Sequence, residues 1–314
     1  MTKLLLLRAS QGGRAQELKD EDIHGRTTPT NHKEGLFMGL RINTNTTSQN
    51  AQRQMAITRL ALDKSLERLS SGSRINHAGD DAAGLAISES LRAQIRGMRQ
   101  AKRNAQDAVS MVQVSEGGLT EISNMVIRLR ELSIQAASDT IGDAERSFTD
   151  REFQALKQEI DRIANATMFN GTPLLNGRAG MFEFQVGIRN NPILDRIVYN
   201  GEKADSTIEA LQMSGESVAT KQGAQLSLGV IDDALTRISS IRADLGALQN
   251  RLQSTINNLA ISDENLSAAN SRIRDTDMAE EVSEMTKNNI LMQSSISVLG
   301  HANNTNSATL KLLG

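Results

Sequence analysis

The chain has 314 residues, 38% of them hydrophobic, and its 35 basic and 37 acidic side chains leave a formal net charge of −2. This length allows a core of one or two domains. The balanced charge and the 2% aromatic content provide neither the basic field nor the base-stacking platform of a nucleic-acid-binding protein.

The sequence contains no cysteine, which excludes thiol catalysis, disulfides and Cys-ligated metal sites. It also contains no apolar run near the ~20 residues that span a bilayer, so no membrane insertion is expected. The run Leu4–Leu7 is shorter than the apolar core of about 7–15 residues in a secretory signal.

Residues 1–37 differ in kind from the rest of the chain. They are polar, contain glycine and show no hydrophobic period, which is typical of disorder. We predict a disordered leader, which is either a regulatory tail or the product of a misassigned start with Met38 as the true initiator.

The next segments are periodic and predict helices. From Ser48 to about Leu69, one stripe consists of Met55, Leu62 and Leu69, with Leu66 on a second seam. After a Gly-rich stretch, Ser70 to Ser90, seven-residue steps resume at Leu91, Met98, Ala105 and Val112. Residues 148–164 form another amphipathic segment. This spacing predicts helices packed lengthwise, as in a coiled coil.

The middle of the chain predicts a single β-hairpin. Residues 170–177 carry turn signals, and then Phe182, Phe184, Val186 and Ile188 alternate with polar or small residues. Asn190–Pro192 supplies a turn, after which alternation resumes at residues 197 and 199. Residues 201–224 are polar and rich in Gly, Ser and Ala, and we expect a short variable surface connection there.

The longest periodic signal follows that connection. An unbroken seven-residue ladder consists of Ile231, Ile238, Leu245, Leu252, Leu259, Leu266 and Ile273. The last segment repeats the period, with a stripe of Met278, Val282, Met285, Met292, Ile296 and Leu299. We predict a mainly α fold, a long helical hairpin or coiled-coil rod with one small β-hairpin.

Two polar stretches interrupt the helices, and we interpret both as joints. In the first, Asp80 and Asp81 precede a helix and are expected to cap it; a metal or catalytic loop is the less favoured reading, because adjacent aspartates do not match the alternating ligands of a calcium loop. The second stretch contains Asp277 and Glu280 at capping-box spacing. The joint residues are Ser73, Arg74, Asn76, Gly79, Asp80, Asp81, Asp275, Asp277 and Glu280.

The histidines give no support to an enzyme. His24, His32, His77 and His301 do not stand three or four residues apart, and no HExxH, P-loop or GxSxG pattern occurs. We therefore expect no catalytic activity, no metal and no cofactor.

Four long stretches together resemble bacterial flagellin. They begin at Met38 (MGLRINTNTTSQNAQRQM), Leu66 (LERLSSGSRINHAGDDAAGLAISES), Met168 (MFNGTPLLNG) and Ser271 (SRIRDTDMAEEVSEM), and the resemblance covers residues 38–314. No segment corresponds to the large outer domains of the family, so the chain resembles a minimal flagellin. Met278 departs from the family pattern, which implies an aromatic residue there.

The resemblance implies a domain plan. Residues 38–80 would hold the N-terminal part of an inner coiled-coil domain and its spoke, and residues 81–200 the outer helical rod with the hairpin. The variable connection at 201–224 would precede the long C-terminal rod helix at 225–273. Residues 274–314 would form the C-terminal spoke and the second inner helix.

The resemblance also implies function and partners. The protein would be a secreted structural subunit that polymerises into the flagellar filament for motility, outside the cell. Its partners would be other flagellin subunits, the flagellar type III export apparatus, an export chaperone at the C-terminal segment, and the hook-associated and cap proteins. A patch of Arg128, Leu132 and Glu152 resembles the part of flagellin that the host Toll-like receptor recognises; its alternative is a solvated helix face with ordinary core leucines.

Two other readings compete with a filament subunit. A flagellin-like hook–filament junction protein would share the terminal design, and a cytosolic coiled-coil adaptor would need neither the hairpin nor paired termini.

Overall fold

The computed structural model describes the backbone of residues 44–311 and the side chains of residues 44–304; the predicted leader lies outside these residues. The described part contains five long helices: α1 (Thr46–Ser71), α2 (Ala82–Ala136), α3 (Asp143–Ala166), α4 (Lys221–Arg274) and α5 (Met278–Lys311). The described strands are β1 (Met168–Phe169), β2 (Thr172–Pro173), β3 (Met181–Gln185) and β4 (Arg196–Asn200). The prediction of a mainly α fold is confirmed.

Helices α2 and α4 pack against each other and form most of the core. Ion pairs join Arg99 to Asp263 (3.0 Å) and Arg130 to Asp232 (2.7 Å), so the two helices run antiparallel. The seven-residue ladder of α4 is buried at its first four positions, Ile231, Ile238, Leu245 and Leu252. Its last three positions, Leu259, Leu266 and Ile273, are only partly buried. The apolar seam is therefore tightest in the half of α4 away from the joint.

Helix α3 packs on α2, and a hairpin follows it. Strands β3 and β4 are antiparallel, with Phe182 opposite Tyr199 and Phe184 opposite Ile197. Asn104 of α2 donates from Nδ2 to the Gln185 carbonyl at 3.0 Å and fixes the hairpin to the long helix. The sequence predicted one hairpin, but the described part holds a second antiparallel pair, β1 with β2, in the stretch interpreted as turns.

The expectation of a surface connection at residues 201–224 is wrong in one respect. This segment contains a short 3₁₀ helix, Gly201–Ala204, and Leu211, Met213 and Val218 are buried in the main core. Lys157 of α3 holds it in place by donating to the carbonyls of Ser214 (3.0 Å) and Glu216 (2.9 Å). Its small residues divide between the two environments: some are buried (Gly201, Ala204 and Ser206) and others are exposed (Ser214, Gly215 and Ala219).

Contacts divide the chain into two compact units. One unit is Arg53–Ile296, and it contains the core just described. The other contains the described residues up to Gln52 and those from Ser297 onward. In this second unit, Asn45 Nδ2 donates to the Ala302 carbonyl, and Ser48 Oγ donates to Asn303 Oδ1, each at 3.0 Å. The predicted domain boundaries near residues 80 and 274 stay a prediction.

No helix in the described part of the chain is both long and apolar enough to cross a membrane.

Candidate functional site

The two predicted joints meet. Gly72 ends α1 with a φ of +69°, a left-handed conformation that turns the chain away from the helix axis. Ser73 then forms an isolated antiparallel bridge with Asp275. Backbone N–H groups donate across the bridge in both directions, from Arg74 to the Arg274 carbonyl (2.6 Å) and from Thr276 to the Gly72 carbonyl (3.1 Å). One joint therefore closes on the other.

Side chains reinforce this pairing. The Arg74 guanidinium donates to the Ile273 carbonyl at 2.8 Å, at the end of α4, where helix carbonyls lack intrahelical partners. Arg274 contacts Glu89 of α2 at 2.6 Å, and that hydrogen bond lowers the pKa of the Glu89 carboxyl. The joint is thus fixed to α2 as well as to α4.

Asp80 and Asp81 have different roles, which corrects the expectation that both cap α2. Asp81 is the N-cap, and its Oδ1 accepts from the Gly84 N–H at 2.8 Å. Asp80 closes its own loop: Oδ2 accepts from the N–H groups of Asn76 and His77 at 3.3 and 3.2 Å. Gly84 is required beside the cap, because a Cβ there would collide with the Asp81 carboxylate and with Ile75.

The loop also joins α1 through Asp80. Lys64 Nζ lies 2.5 Å from Asp80 Oδ1. The hydrogen bond from Lys64, followed by the backbone N–H of His77, lowers the pKa of Asp80 to about 2. Gly79 lies exposed in this loop, has no left-handed φ, and leaves open space where a Cβ would lie.

The second joint starts α5. Asp277 Oδ1 accepts from the N–H groups of Ala279 (2.8 Å) and Glu280 (3.3 Å), as a helix cap does. Glu280 lines a cavity of about 520 Å³ between α1 and α5, beside the ion pair of Arg68 with Glu281 (3.6 Å).

Polar groups line this cavity. Asn288 is buried, and its Nδ2, like Arg68 Nε, has no hydrogen-bond partner among the described residues. Polar residues are also buried on α1, at Thr58 and Ser65. The sequence analysis missed these four residues; the signal that could have found Thr58 and Ser65 is their seven-residue spacing.

The ten residues predicted as one assembly stripe lie on two sides of their helices. Six are partly buried: Met55, Leu62, Leu69, Met285, Met292 and Leu299. Four are exposed: Leu66, Met278, Val282 and Ile296. Further large apolar side chains of α1 and α5 are exposed with them: Ile57, Leu60, Ile290, Leu291 and Val298. The terminal helices therefore present apolar surface that the described part of the chain does not cover.

The candidate receptor patch is only partly accessible. Arg128 forms hydrogen bonds with Glu152 from Nε (3.0 Å) and Nη2 (2.9 Å), and with Glu131 from Nη1 (2.9 Å). These bonds raise the pKa of Arg128. Leu132 is only 2% exposed and belongs to the core. Burial of Leu132 agrees with the alternative of a solvated face with core leucines, and receptor recognition of the patch stays a prediction.

The polar clusters of the described residues do not have the arrangement of a catalytic site. His77 Nε2 contacts Glu67 at 2.8 Å, but both side chains are exposed. Within the described residues, no three His, Asp or Glu side chains are grouped so that they could hold a metal ion. What the site offers is a pair of interlocked joints and two helices with exposed apolar surface.

Comparisons of the sequence with known proteins all indicate the same family. Residues 42–179 match the bacterial flagellin N-terminal helical region, and residues 228–313 match the bacterial flagellin C-terminal helical region. A flagellin of Halalkalibacterium halodurans is 43% identical over 272 residues, which are 87% of this chain and 99% of that protein. A flagellin of Bacillus subtilis is also 43% identical, over 304 residues that cover 87% of this chain and 100% of that protein.

Among solved structures, a putative flagellar hook-associated protein from Vibrio parahaemolyticus is similar in fold. The TM-score is 0.51 at 16% identity, and the match covers 62% of this chain and 100% of that one. At this identity the likeness concerns the fold alone.

Proposed function

The chain belongs to the bacterial flagellin family, and on that premise we propose that it is a structural subunit of the bacterial flagellar filament, which serves motility, and not an enzyme. Both helical regions of the family are present, and the relatives named flagellin are matched along almost their whole length. The filament places the protein outside the cell.

The observation that carries this function is the exposed apolar surface of the terminal helices. Monomeric soluble proteins rarely leave large contiguous apolar surface uncovered. On α5 the exposed side chains include Ile290, Leu291 and Ile296. A contact between two different surfaces of identical subunits, repeated without closing, produces an open helical filament. Neighbouring subunits would then cover these side chains.

Assembly would also order the termini. Among the described residues of α5, only Glu281, Asn288 and Ala302 are buried, and the large apolar side chains of this helix are at most partly buried. Packing within the chain therefore contributes little hydrophobic stabilisation to α5. Helices without tertiary packing are marginal in water. We propose that the terminal helices fray in the monomer and become ordered as copies pack around them.

The composition of the chain is also compatible with export in an unfolded state. A chain without cysteine has no disulfide that would block passage through a narrow channel in an unfolded state. We propose secretion by the flagellar type III apparatus, a chaperone that covers the C-terminal segment beforehand, and contact with hook-associated and cap proteins afterwards. Pull-down from cell extract with and without residues 278–314 tests the chaperone: loss of capture with the truncated chain is expected, and equal capture would contradict it.

Recognition by the host Toll-like receptor for flagellin is a separate proposal. It would depend on the exposed Arg128 and Glu152, with buried Leu132 acting through the position of α2. A receptor reporter assay should respond less to Arg128→Ala than to wild type, whereas Arg162→Ala, which removes a comparable exposed ion pair on α3, should match wild type. An equal response to all three proteins would refute the proposal.

Seeded polymerisation tests the filament function. Purified chain is added to short filament fragments and viewed by electron microscopy. A filament subunit elongates the seeds; a hook–filament junction protein or a cytosolic adaptor leaves them short. Failure to elongate under conditions in which a known flagellin does so would refute the function.

A further inference from the structure

The loop of the β3–β4 hairpin is a rigid tip. Asn191 and Asp195 close it: the Asn191 N–H donates to Asp195 Oδ2 (3.0 Å), and the Asp195 N–H donates to the Asn191 carbonyl (2.9 Å). Asn191 Oδ1 accepts from the N–H of Ile193 at 2.9 Å and of Leu194 at 3.3 Å. The loop is thus held in one shape by its own hydrogen bonds.

This rigid tip presents two apolar side chains to solvent. Ile193 is 85% exposed and Leu194 is 78% exposed, the highest values among the large apolar residues of the described chain. A rigid loop that exposes adjacent aliphatic side chains is suited to binding, since little conformational entropy is lost when a partner covers it.

A groove of about 660 Å³ lies between the tip and α4. The tip forms part of its apolar wall. The α4 wall is mainly polar, with Asn250, Ser254 and Asn258, and also includes Leu259. None of the described residues that line the groove is acidic, and its charged residues are Arg196 and Arg251. Arg196 already pairs with Glu183 at 3.1 Å, so Arg251 is the cation that a partner would meet. The groove therefore suits an apolar side chain accompanied by a carboxylate.

The chain carries such a combination on α3. Phe148 is 63% exposed and is the only aromatic side chain among the exposed large apolar residues of the described part. Glu145 and Glu152 are exposed one turn away on either side of it, on the same face of the helix. Arg151 lies 5.6 Å from the ring centroid and covers one side of the ring. Arg128 already binds the Glu152 carboxylate, so Glu145 is the carboxylate better placed for a partner's cation.

The hairpin that carries the tip and the helix that carries Phe148 contact α2 at different positions along its axis. The hairpin contacts α2 at Asn104, and α3 contacts it at Arg128 through Glu152. These positions are roughly 36 Å apart at 1.5 Å per residue. Two complementary surfaces at different levels of one subunit favour a heterologous contact, which propagates along an assembly.

We propose that the tip at residues 191–195 and its groove receive the Phe148 face of α3 from a second copy of this chain. The proposal rests on the proposed filament function and names one subunit contact within it. Ile193 and Leu194 would pack on the Phe148 ring, and Arg251 would lie near the Glu145 carboxylate.

Cysteine cross-linking tests the contact, because the natural chain contains no thiol. Filaments of the Leu194→Cys/Phe148→Cys double variant are treated with a short thiol-specific bifunctional reagent and separated on a denaturing gel. A ladder of covalent dimers and higher oligomers is expected. The matched control is Leu194→Cys/Leu226→Cys, in which the second thiol replaces another exposed apolar residue, and it should remain monomeric. Assembled filaments of the first variant that give no ladder would overturn the proposal.

Assembly provides an independent measurement. Ile193→Ser/Leu194→Ser should raise the monomer concentration left after seeded polymerisation by about tenfold or more, since the contact loses the burial of two large apolar side chains. Leu226→Ser should leave it unchanged. Failure of wild type to polymerise refutes the filament function itself; normal polymerisation of both wild type and the double-serine variant refutes only this contact. The variant's circular dichroism melting curve should match wild type, because the replaced side chains are exposed.

Discussion

Ser73 and Asp275 stand opposite each other as an antiparallel bridge, although one residue follows the first helix and the other precedes the last. The bridge holds the start of α2, the end of α4 and the connections to both terminal helices at one place. A subunit whose terminal helices contact neighbouring copies requires such a fixed connection, since force on either helix passes through it.

The left-handed turn at Gly72 should be sensitive to substitution. Gly72→Ala places a Cβ at a φ of +69° and should lower the free energy of unfolding by roughly 1–2 kcal/mol. Gly79→Ala is the matched control, because both sites have open space for a Cβ and only Gly72 has the left-handed φ. Urea denaturation of both variants measures the difference; equal midpoints would show that the turn is not strained by a side chain.

The Asp80 loop should lose stability in acid. The pKa of Asp80 is lowered to about 2 from an ordinary value of 3.8, so its contribution is complete above pH 3.8 and disappears as the pH falls toward 2. The difference in Tm between wild type and Asp80→Asn should therefore be largest near pH 5 and shrink on acidification to pH 2. Asp107→Asn, at an exposed site on α2, should show no such trend. A Tm difference that stays constant over this range would contradict the role of Lys64 as the partner.

We expect Lys157 to hold the segment after the hairpin, residues 201–224, against α3. Lys157→Met leaves the carbonyls of Ser214 and Glu216 without that donor and should cost about 1–3 kcal/mol in the free energy of unfolding. Lys203→Met, at an exposed position of the same region, should change it by less than about 0.5 kcal/mol. Similar losses in both variants would mean that the two carbonyl contacts do not stabilise the segment.

Substitutions at Leu132 and Ile134 distinguish a buried position of α2 from an exposed one. Leu132→Ala removes a buried side chain and should cost about 2–5 kcal/mol, whereas Ile134→Ala, two residues further on an exposed face, should cost far less. Thermal unfolding measures both. If Leu132→Ala were as stable as Ile134→Ala, position 132 would not face the core, and a direct receptor contact there would become tenable.

The sequence predicted the long helices and the hairpin well, because both depend on the spacing of apolar residues. Ile231 through Leu252 are buried at every seventh position, and Phe182 pairs across the hairpin with Tyr199. The cap at Asp81 was also predictable, since an Asp before an Ala-rich helix accepts its free N–H groups.

Other features leave no apolar period and could not be predicted in that way. Thr58 and Ser65 are buried although both are polar, so a search for apolar residues does not identify them. Met213 and Val218 stand isolated in a polar segment, and only the fold shows that they reach the core. The role of Asp80 depends on Lys64, a contact between separate elements that a local capping rule does not contain.

Amide hydrogen exchange of α5, compared between monomer and assembled filament, tests the central claim most directly. The claim is that neighbouring copies cover the exposed apolar side of this helix, including Ile290, Leu291 and Ile296. Peptides from residues 278–304 should exchange rapidly in the monomer and at least about a hundredfold more slowly in the filament, while the central part of α2 should be protected in both states. Equal exchange of α5 in monomer and filament would contradict the account.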